Sequence, residues 1–264
     1  MTAAEFVRET RQTFLRWIKK TLRRPIFLFF ALIQPIVWFV LFAQSFSSIA
    51  SVPGFSRLTG TDNYVTFFSA AVIIQTVIAS AMQSGLGMVQ DLESGFLDKM
   101  RVAPIHRSSI LMGKILSDAF RILIQTLIIL GIAAAFGVTI GTGIPGLLLL
   151  LAIAALFGIA WAGISNAIAF ATKNSETTTM ASIITSFPLL FLSTAMMPKP
   201  LLPQWVQNVA TYNPLTYVAD ALHALIITSA FDWTAVGYAF LTILIVGVLS
   251  LGGASQMFRR TISA

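Results

Sequence analysis

Long apolar runs alternate along this chain with short polar ones, and their lengths set the architecture. A hydrocarbon core of roughly 30 Å takes about 20 mainly apolar residues to cross as a helix. Six stretches meet that need: 26–44, 64–83, 116–137, 145–171, 180–197 and 233–253. The fifth holds Pro188, which predicts a kink because proline withholds a backbone donor and crowds the turn before it. The pattern therefore predicts an all-α polytopic membrane protein, with residues 1–264 forming a single transmembrane domain of six helices.

Ahead of the first run, residues 1–25 follow a different period. Phe6, Phe14, Trp17, Ile18 and Leu22 fall near one helical face, with basic residues around most of the remainder. Such an amphipathic interfacial helix is expected to lie in the headgroup plane, where each basic residue near anionic lipid contributes about 1 kcal/mol. A plain basic flank is the compatible simpler reading. The apolar run that follows is too long for a signal-peptide core and no small-residue cleavage site comes after it, so a permanent span is expected.

Two connections break the pattern. The first, "DLESGFLDKMRVAP" at 91–104, gathers Asp91, Glu93, Asp98, Lys99 and Arg101 in a chain that is only 10% charged. Leu92, Phe96 and Met100 recur every fourth residue with Leu97 beside them, and Pro104 ends the repeat, which predicts a short amphipathic helix. It is either a docking element for something outside the bilayer or a solvated interfacial helix with no partner. The second connection, 198–229, is too long and too apolar for a bare loop, and four prolines divide it. Its "TYVADALHALI" has helical periodicity and spaces Asp220 to pair with His223. Short helices dipping into the outer leaflet are expected, with one small soluble cap as the alternative.

Composition supports the membrane reading, since 56% of residues are hydrophobic and the mean hydropathy is +0.84. Soluble domains are less apolar and carry about 25% charge. The absence of cysteine excludes disulfides, thiol nucleophiles and Cys-ligated metals, and His106 and His223, far apart, are expected to be loop histidines and not ligands. A net charge of +7 does not signal nucleic acid, because fifteen of the seventeen Lys and Arg residues fall on one side of the predicted spans. That side includes Lys114, taken with the loop and the start of span three; the other has only Arg57 and Lys199. Both termini are thus expected in the cytoplasm. Tyr64, Trp205, Tyr212, Tyr217 and Trp233 suit the outer interface, whereas Trp38 and Trp161 fall inside spans as packing residues.

No Walker loop, nucleophile elbow or HExxH motif occurs, so no enzyme and no ATPase site is expected in this chain. The spans hold charge only at Asp118 and Arg121, spaced to pair, and none at midplane where a proton- or sodium-driven carrier needs it. Gln34, Gln75, Gln125 and Asn166 offer a weakly polar lining that fits a hydrophobic or amphiphilic cargo better than an ion. A partner-independent secondary carrier or channel, and a membrane anchor or sensor, are the competing functions.

Two motifs carry a resemblance: "ESGFLDKMRVAP" followed by Gly113 and Lys114, and "YNPLTYVADALHAL" before the last span. The chain resembles the membrane (permease) subunits of type 2 ABC exporters, especially the daunorubicin-resistance-like permeases. The resemblance implies that 91–104 is a cytoplasmic coupling helix docked on a separate ATP-binding subunit. Its contact residues would be Asp91, Leu92, Glu93, Gly95, Phe96, Leu97, Asp98, Met100, Arg101 and Pro104, of which Glu93, Gly95, Leu97 and Pro104 match the family pattern. It also implies paired outer re-entrant helices in 198–229, with Asn213, Pro214, Leu215, Tyr217, Asp220 and His223 as their motif, His223 standing where relatives often carry a basic residue. Such permeases work as two permeases and two ATPases. A homodimer in the cell membrane is therefore expected, exporting a drug-like or lipid-like compound, with ATP and Mg2+ on the partner and no cofactor in this chain.

Overall fold

Helices account for most of the described residues. The computed structural model describes residues 3–23, 25–51, 54–96 and 106–263. In order these form α1 (Ala3–Leu22), α2 (Pro25–Ser45), α3 (Phe55–Thr59), α4 (Tyr64–Glu93), α5 (Arg107–Ala135), α6 (Gly143–Thr172), α7 (Ser175–Phe191), α8 (Gln204–Tyr212), α9 (Pro214–Ile227) and α10 (Trp233–Ser263), with 3-10 turns at Ser47–Ser51 and Lys199–Leu201. The six long helices α2, α4, α5, α6, α7 and α10 run alternately up and down. One end of the bundle, where α1 lies, is basic; the other carries α3, α8 and α9.

Among the described residues, five stretches are long and apolar enough to cross a membrane: Leu32–Ser51, Tyr64–Glu93, Ser108–Ala135, Gly143–Thr172 and Trp233–Phe258. The expected fifth span, 180–197, differs. Its helix α7 has 17 residues, begins at Ser175 and stops at Phe191. The polar start is helical because Asn174 accepts the Thr177 N–H at 2.8 Å, and the hydroxyls of Thr178 and Thr179 donate to carbonyls four residues back at 2.7 and 2.8 Å. Pro188 is accommodated inside the last turn, and the helix ends three residues beyond it.

The second span also departs from expectation, since α4 continues ten residues past Gln83 to Glu93. The polar, glycine-rich stretch there is helix because neighbouring helices press against it. A Cβ on Gly85 would strike the backbone of Ser165 on α6, and one on Gly87 would sit 3.2 Å from the Trp17 ring of α1. Helices in lipid gain no hydrophobic drive from meeting one another, so such close approaches are what bind them. Gly163 serves α6 and α10 in the same way, and there the Ser250 hydroxyl donates to the Ala160 carbonyl at 2.6 Å.

α4 lies at the centre, with Phe67 through Ile74 buried on every face. Around it Ile122 and Ile129 of α5, Leu150, Phe157 and Trp161 of α6, and Leu222 and Leu225 of α9 complete one continuous core. Trp161 is a packing residue, its indole N–H donating to Ser186 Oγ at 3.1 Å. Trp38 is too, stacked on Phe42 and edge-on to Phe187.

The apolar face of α1 covers protein. Trp17 is 6% exposed, Phe14 meets Phe120 edge-on, and a Cβ on Gly113 would lie 2.7 Å from Thr13 Cβ and 2.8 Å from the Thr10 carbonyl. α1 is thus docked in the angle between α4 and α5.

Candidate functional site

At the basic end, α1 grips both roots of the predicted coupling segment. Asp91, in the last turn of α4 and 3% exposed, accepts from Arg16 Nη2 at 3.0 Å and from Lys20 Nζ at 2.6 Å, while Lys20 also donates to the Gly87 carbonyl. On the other side, Glu9 accepts the backbone N–H of His106 at 3.1 Å, with the imidazole Nδ1 3.2 Å away. That backbone N–H is the main reason the Glu9 carboxyl sits below its ordinary range.

These contacts correct the expected helix. Asp91 is committed inside the chain, and Leu92 turns inward to pack on Met88, Phe170 and Phe258. Gly95 is not in a helix interior: it takes a φ of 64° in the turn that ends α4, a left-handed conformation that glycine adopts without penalty. Leu92 and Phe96 therefore do not share one helical stripe. Phe96 instead lies under the Arg16 guanidinium, 3.5 Å from ring centroid to Cζ. Glu93 is exposed and accepts from Ser175, the first residue of α7, twice: from the backbone N–H at 3.0 Å and from Oγ at 2.9 Å. Leu97, Asp98, Met100, Arg101 and Pro104 lie outside the described residues.

A second polar cluster lies deeper. Lys114, expected with the loop cations, is inside α5 and 2% exposed. Its ammonium donates to Asp118 Oδ2 at 3.0 Å and to Ser84 Oγ at 2.7 Å, and lies 4.3 Å above the Trp17 ring. Asp118 does pair with Arg121, at 2.9 Å, but it also accepts from Ser84 Oγ at 2.5 Å. Arg121 adds Ser80 Oγ and the Ser80 carbonyl, and Asn166 Nδ2 donates to Ser84 Oγ at 3.2 Å. The network joins α1, α4, α5 and α6 and sets two cations, Lys114 and Arg121, against the one carboxylate of Asp118. Lys114 was legible as a partner from its i,i+4 spacing to Asp118; Arg16, Lys20, Ser84 and Ser175 had no local signal. Among the described residues no group of three or more His, Asp or Glu side chains is placed to hold a metal.

Between α2, α4 and α7 runs a groove of about 320 Å³. Gln34, Gln75, Gln83, Thr179 and Ser186 give it amides and hydroxyls, Met82, Ile183 and Phe187 give it apolar walls, and no charged residue lines it. Gln34 and Gln75 thus converge as a weakly polar lining, whereas Asn166 belongs to the Ser84 network and Gln125 is buried on α5.

At the far end, Asn213 ties two helices together. Its Oδ1 accepts the Leu215 N–H at 2.9 Å, capping α9 with Pro214 at the first helical position, and its Nδ2 donates to the carbonyls of Leu189 and Leu192 at the end of α7, at 2.6 and 2.9 Å. Tyr217 donates its hydroxyl to the Thr211 carbonyl at 2.7 Å. Asp220 and His223 do not pair: Asp220 accepts from Thr194 Oγ1 at 2.7 Å, and His223 Nε2–H donates to the Phe67 carbonyl at 3.1 Å while its ring stacks on Phe67. His223 is therefore a helix residue and not a loop histidine, and burial pushes its pKa down to about 4. Burial raises that of Asp220.

Comparison with known proteins joins these parts. The chain is 30% identical to the transport permease ycf38 of Cyanophora paradoxa over 231 residues, which is 85% of this chain and 76% of that protein. It is 31% identical to the ycf38 permease of Porphyra purpurea over 230 residues, 87% and 77% of the two chains. It is 26% identical to the daunorubicin resistance ABC transporter permease protein DrrB1 of Streptomyces coeruleorubidus over 212 residues, 79% and 71% of the two. Residues 8–227, from α1 to the end of α9, match the ABC-2 type transporter family, and the chain belongs to it.

Proposed function

We propose that this permease is the transmembrane half of an ATP-driven exporter that moves a hydrophobic or amphiphilic compound out of the cytoplasm. The observation that carries the cargo class is the groove between α2, α4 and α7, which offers amides and hydroxyls on apolar walls and no charge. Such a lining accommodates a large apolar body with scattered polar groups and offers an ion no countercharge. The daunorubicin-resistance relative supports the same class. Energy comes from a separate ATP-binding subunit carrying ATP and Mg2+, which bears on the segment after α4. The basic end faces the cytoplasm, as the fifteen-to-two division of Lys and Arg supports. Two copies meet across the groove face, where Met180, Ile184 and Phe187 of α7 are exposed, and α8 and α9 re-enter the outer leaflet.

A carrier working alone would need a buried group free to exchange a proton or ion. Asp118 already accepts from Ser84, Lys114 and Arg121, which supports a structural role for it.

The test is isolation of the tagged chain from its host in nanodiscs, with partners identified by mass spectrometry, followed by uptake of daunorubicin into inside-out vesicles. Recovery of a Walker-loop ATPase, and uptake that requires ATP and is blocked by vanadate, is the expected result. Uptake that proceeds without ATP or any ATPase would overturn the exporter reading in favour of a carrier.

A further inference from the structure

The contact between Glu93 and Ser175 lies at one end of the groove. Gln83 and Leu86 are among the α4 residues lining the groove, and Thr179 is among those of α7. Two turns beyond Leu86 on α4, and one turn before Thr179 on α7, the Glu93 carboxylate takes both donors of Ser175. The first N–H groups of a helix have no partner within it and bear its positive end, so a carboxylate there holds the helix by both hydrogen bond and charge. The bond is also easily remade: Glu93 is exposed and Ser175 partly so, and water screens and competes for such a pair. The two-residue connection from α6 and the Thr172–Thr178 hydroxyl contact at 2.6 Å tie the first turn of α7 to α6, and the Glu93 contact is what ties it to the end of α4.

We propose that Glu93 is a positioning residue for transport: its carboxylate holds the first turn of α7 against α4 and keeps the basic end of the groove shut, and its withdrawal opens the groove on that side. The purpose of the latch rests on the exporter reading; the latch itself can be tested in this chain alone.

The chain has no cysteine, so a single Gln83→Cys substitution places one thiol in the groove. Its rate of reaction with a charged, membrane-impermeant methanethiosulfonate is measured in nanodiscs. Glu93→Ala and Ser175→Pro each remove the bond. Proline is favoured at the first helical position, and Asn174 before it is already extended at φ −139°, ψ 129°, so Ser175→Pro deletes both donors without disturbing the helix start. Each variant should speed thiol modification by about two- to fivefold, the range a carboxylate at a helix N-terminus is worth. The two together should do no more than either alone, and Glu93→Gln, which keeps one acceptor, should fall between. A Val209→Cys reporter, exposed at the far end, should react at one rate throughout. Unchanged Gln83→Cys rates in both single variants, additive effects in the double, or a parallel rise at Val209→Cys would each overturn the latch. Should the thiol rates shift as expected while no ATPase is recovered with the chain, the latch stands and the ATP-driven exporter reading falls; the reverse result removes the latch alone.

Discussion

Replacing Asp118 by leucine is the most demanding test of the buried network. The carboxylate is 5% exposed and the Lys114 side chain 3%, so after Asp118→Leu the ammonium keeps only Ser84 Oγ and the Trp17 ring as partners. Stranding one member of a buried pair costs about 3–5 kcal/mol. Arg121, at 12% exposed, keeps Ser80 and adds little, and because the ammonium retains the Ser84 hydroxyl and the indole face it already has, the net loss falls at the low end of that range, about 3 kcal/mol. For a chain of this size that corresponds to a Tm lower by about 6–12 °C. Lys114→Met alone leaves Asp118 paired with Arg121 and should lose less. The double variant Lys114→Met/Asp118→Leu removes both charges and should recover most of the stability, because a buried ion pair and an apolar pair of similar volume are close in free energy. The assay is thermal unfolding in detergent followed by tryptophan fluorescence. Asp118→Leu within about 1 kcal/mol of the parent, or a double variant as unstable as Asp118→Leu, would refute the reasoning, which rests on an unpaired buried charge being the dominant cost.

Three further outcomes follow from the geometry. Gly113→Ala drives a methyl against Thr13 and the Thr10 carbonyl and should loosen α1 at a cost of about 1–3 kcal/mol, read as faster tryptic cleavage at Arg11 and Lys19. Asn213→Ala removes three hydrogen bonds, each worth about 1 kcal/mol, and should raise amide exchange at Leu215 and in the last turn of α7; unchanged exchange at both would show that the cap is idle. His223 has a folded pKa of about 4 against an ordinary 6.5, so the unfolded chain takes up a proton that the fold excludes. Stability should therefore fall as pH drops between those two values and stay level above them, and His223→Phe should lose that slope in pH-dependent melting.

The apolar runs made α2 and α6 legible to within two residues, because a helix facing lipid or core on every side needs no polar residue and marks its own length; those of α5 and α10 were found too, but the helices run on past them, α5 back to Arg107 and α10 forward to Ser263. The reading failed where polar residues are helical. Gln83, Ser84 and Gly85 looked like the end of a span, yet Ser84 is satisfied by Lys114, Asp118 and Asn166 from other helices, so the helix runs on. Thr177 to Thr179 looked like a loop, but their hydrogen bonds close on α7 itself and on Asn174. The segment 91–104 stood out by its density of charge, while the bonds that Asp91 and Glu93 make did not, since their partners Arg16 and Ser175 lie 75 and 82 residues away in sequence. Separation of that kind leaves no periodicity to read. Asn213 was marked out by the motif it belongs to, but its service to both α7 and α9 depends on a chain reversal that only the fold supplies.

The shortness of α7 bears on the surrounding lipid. At 1.5 Å per residue its 17 residues reach about 26 Å, and the apolar stretch from Met180 to Phe191 only about 18 Å, against a hydrocarbon slab of about 30 Å. Were α7 to cross the bilayer, the acyl chains beside it would have to compress, whereas those beside the 30-residue α6 would not, so the bilayer would be thinned along one flank of the molecule. Each ångström of mismatch costs a fraction of a kcal/mol, and that cost vanishes when two thinned flanks meet and expel the strained lipid between them. For the two copies proposed above, elastic tension in the membrane would thus favour face-to-face pairing before any side chain had touched its counterpart, and a thicker bilayer would strengthen it.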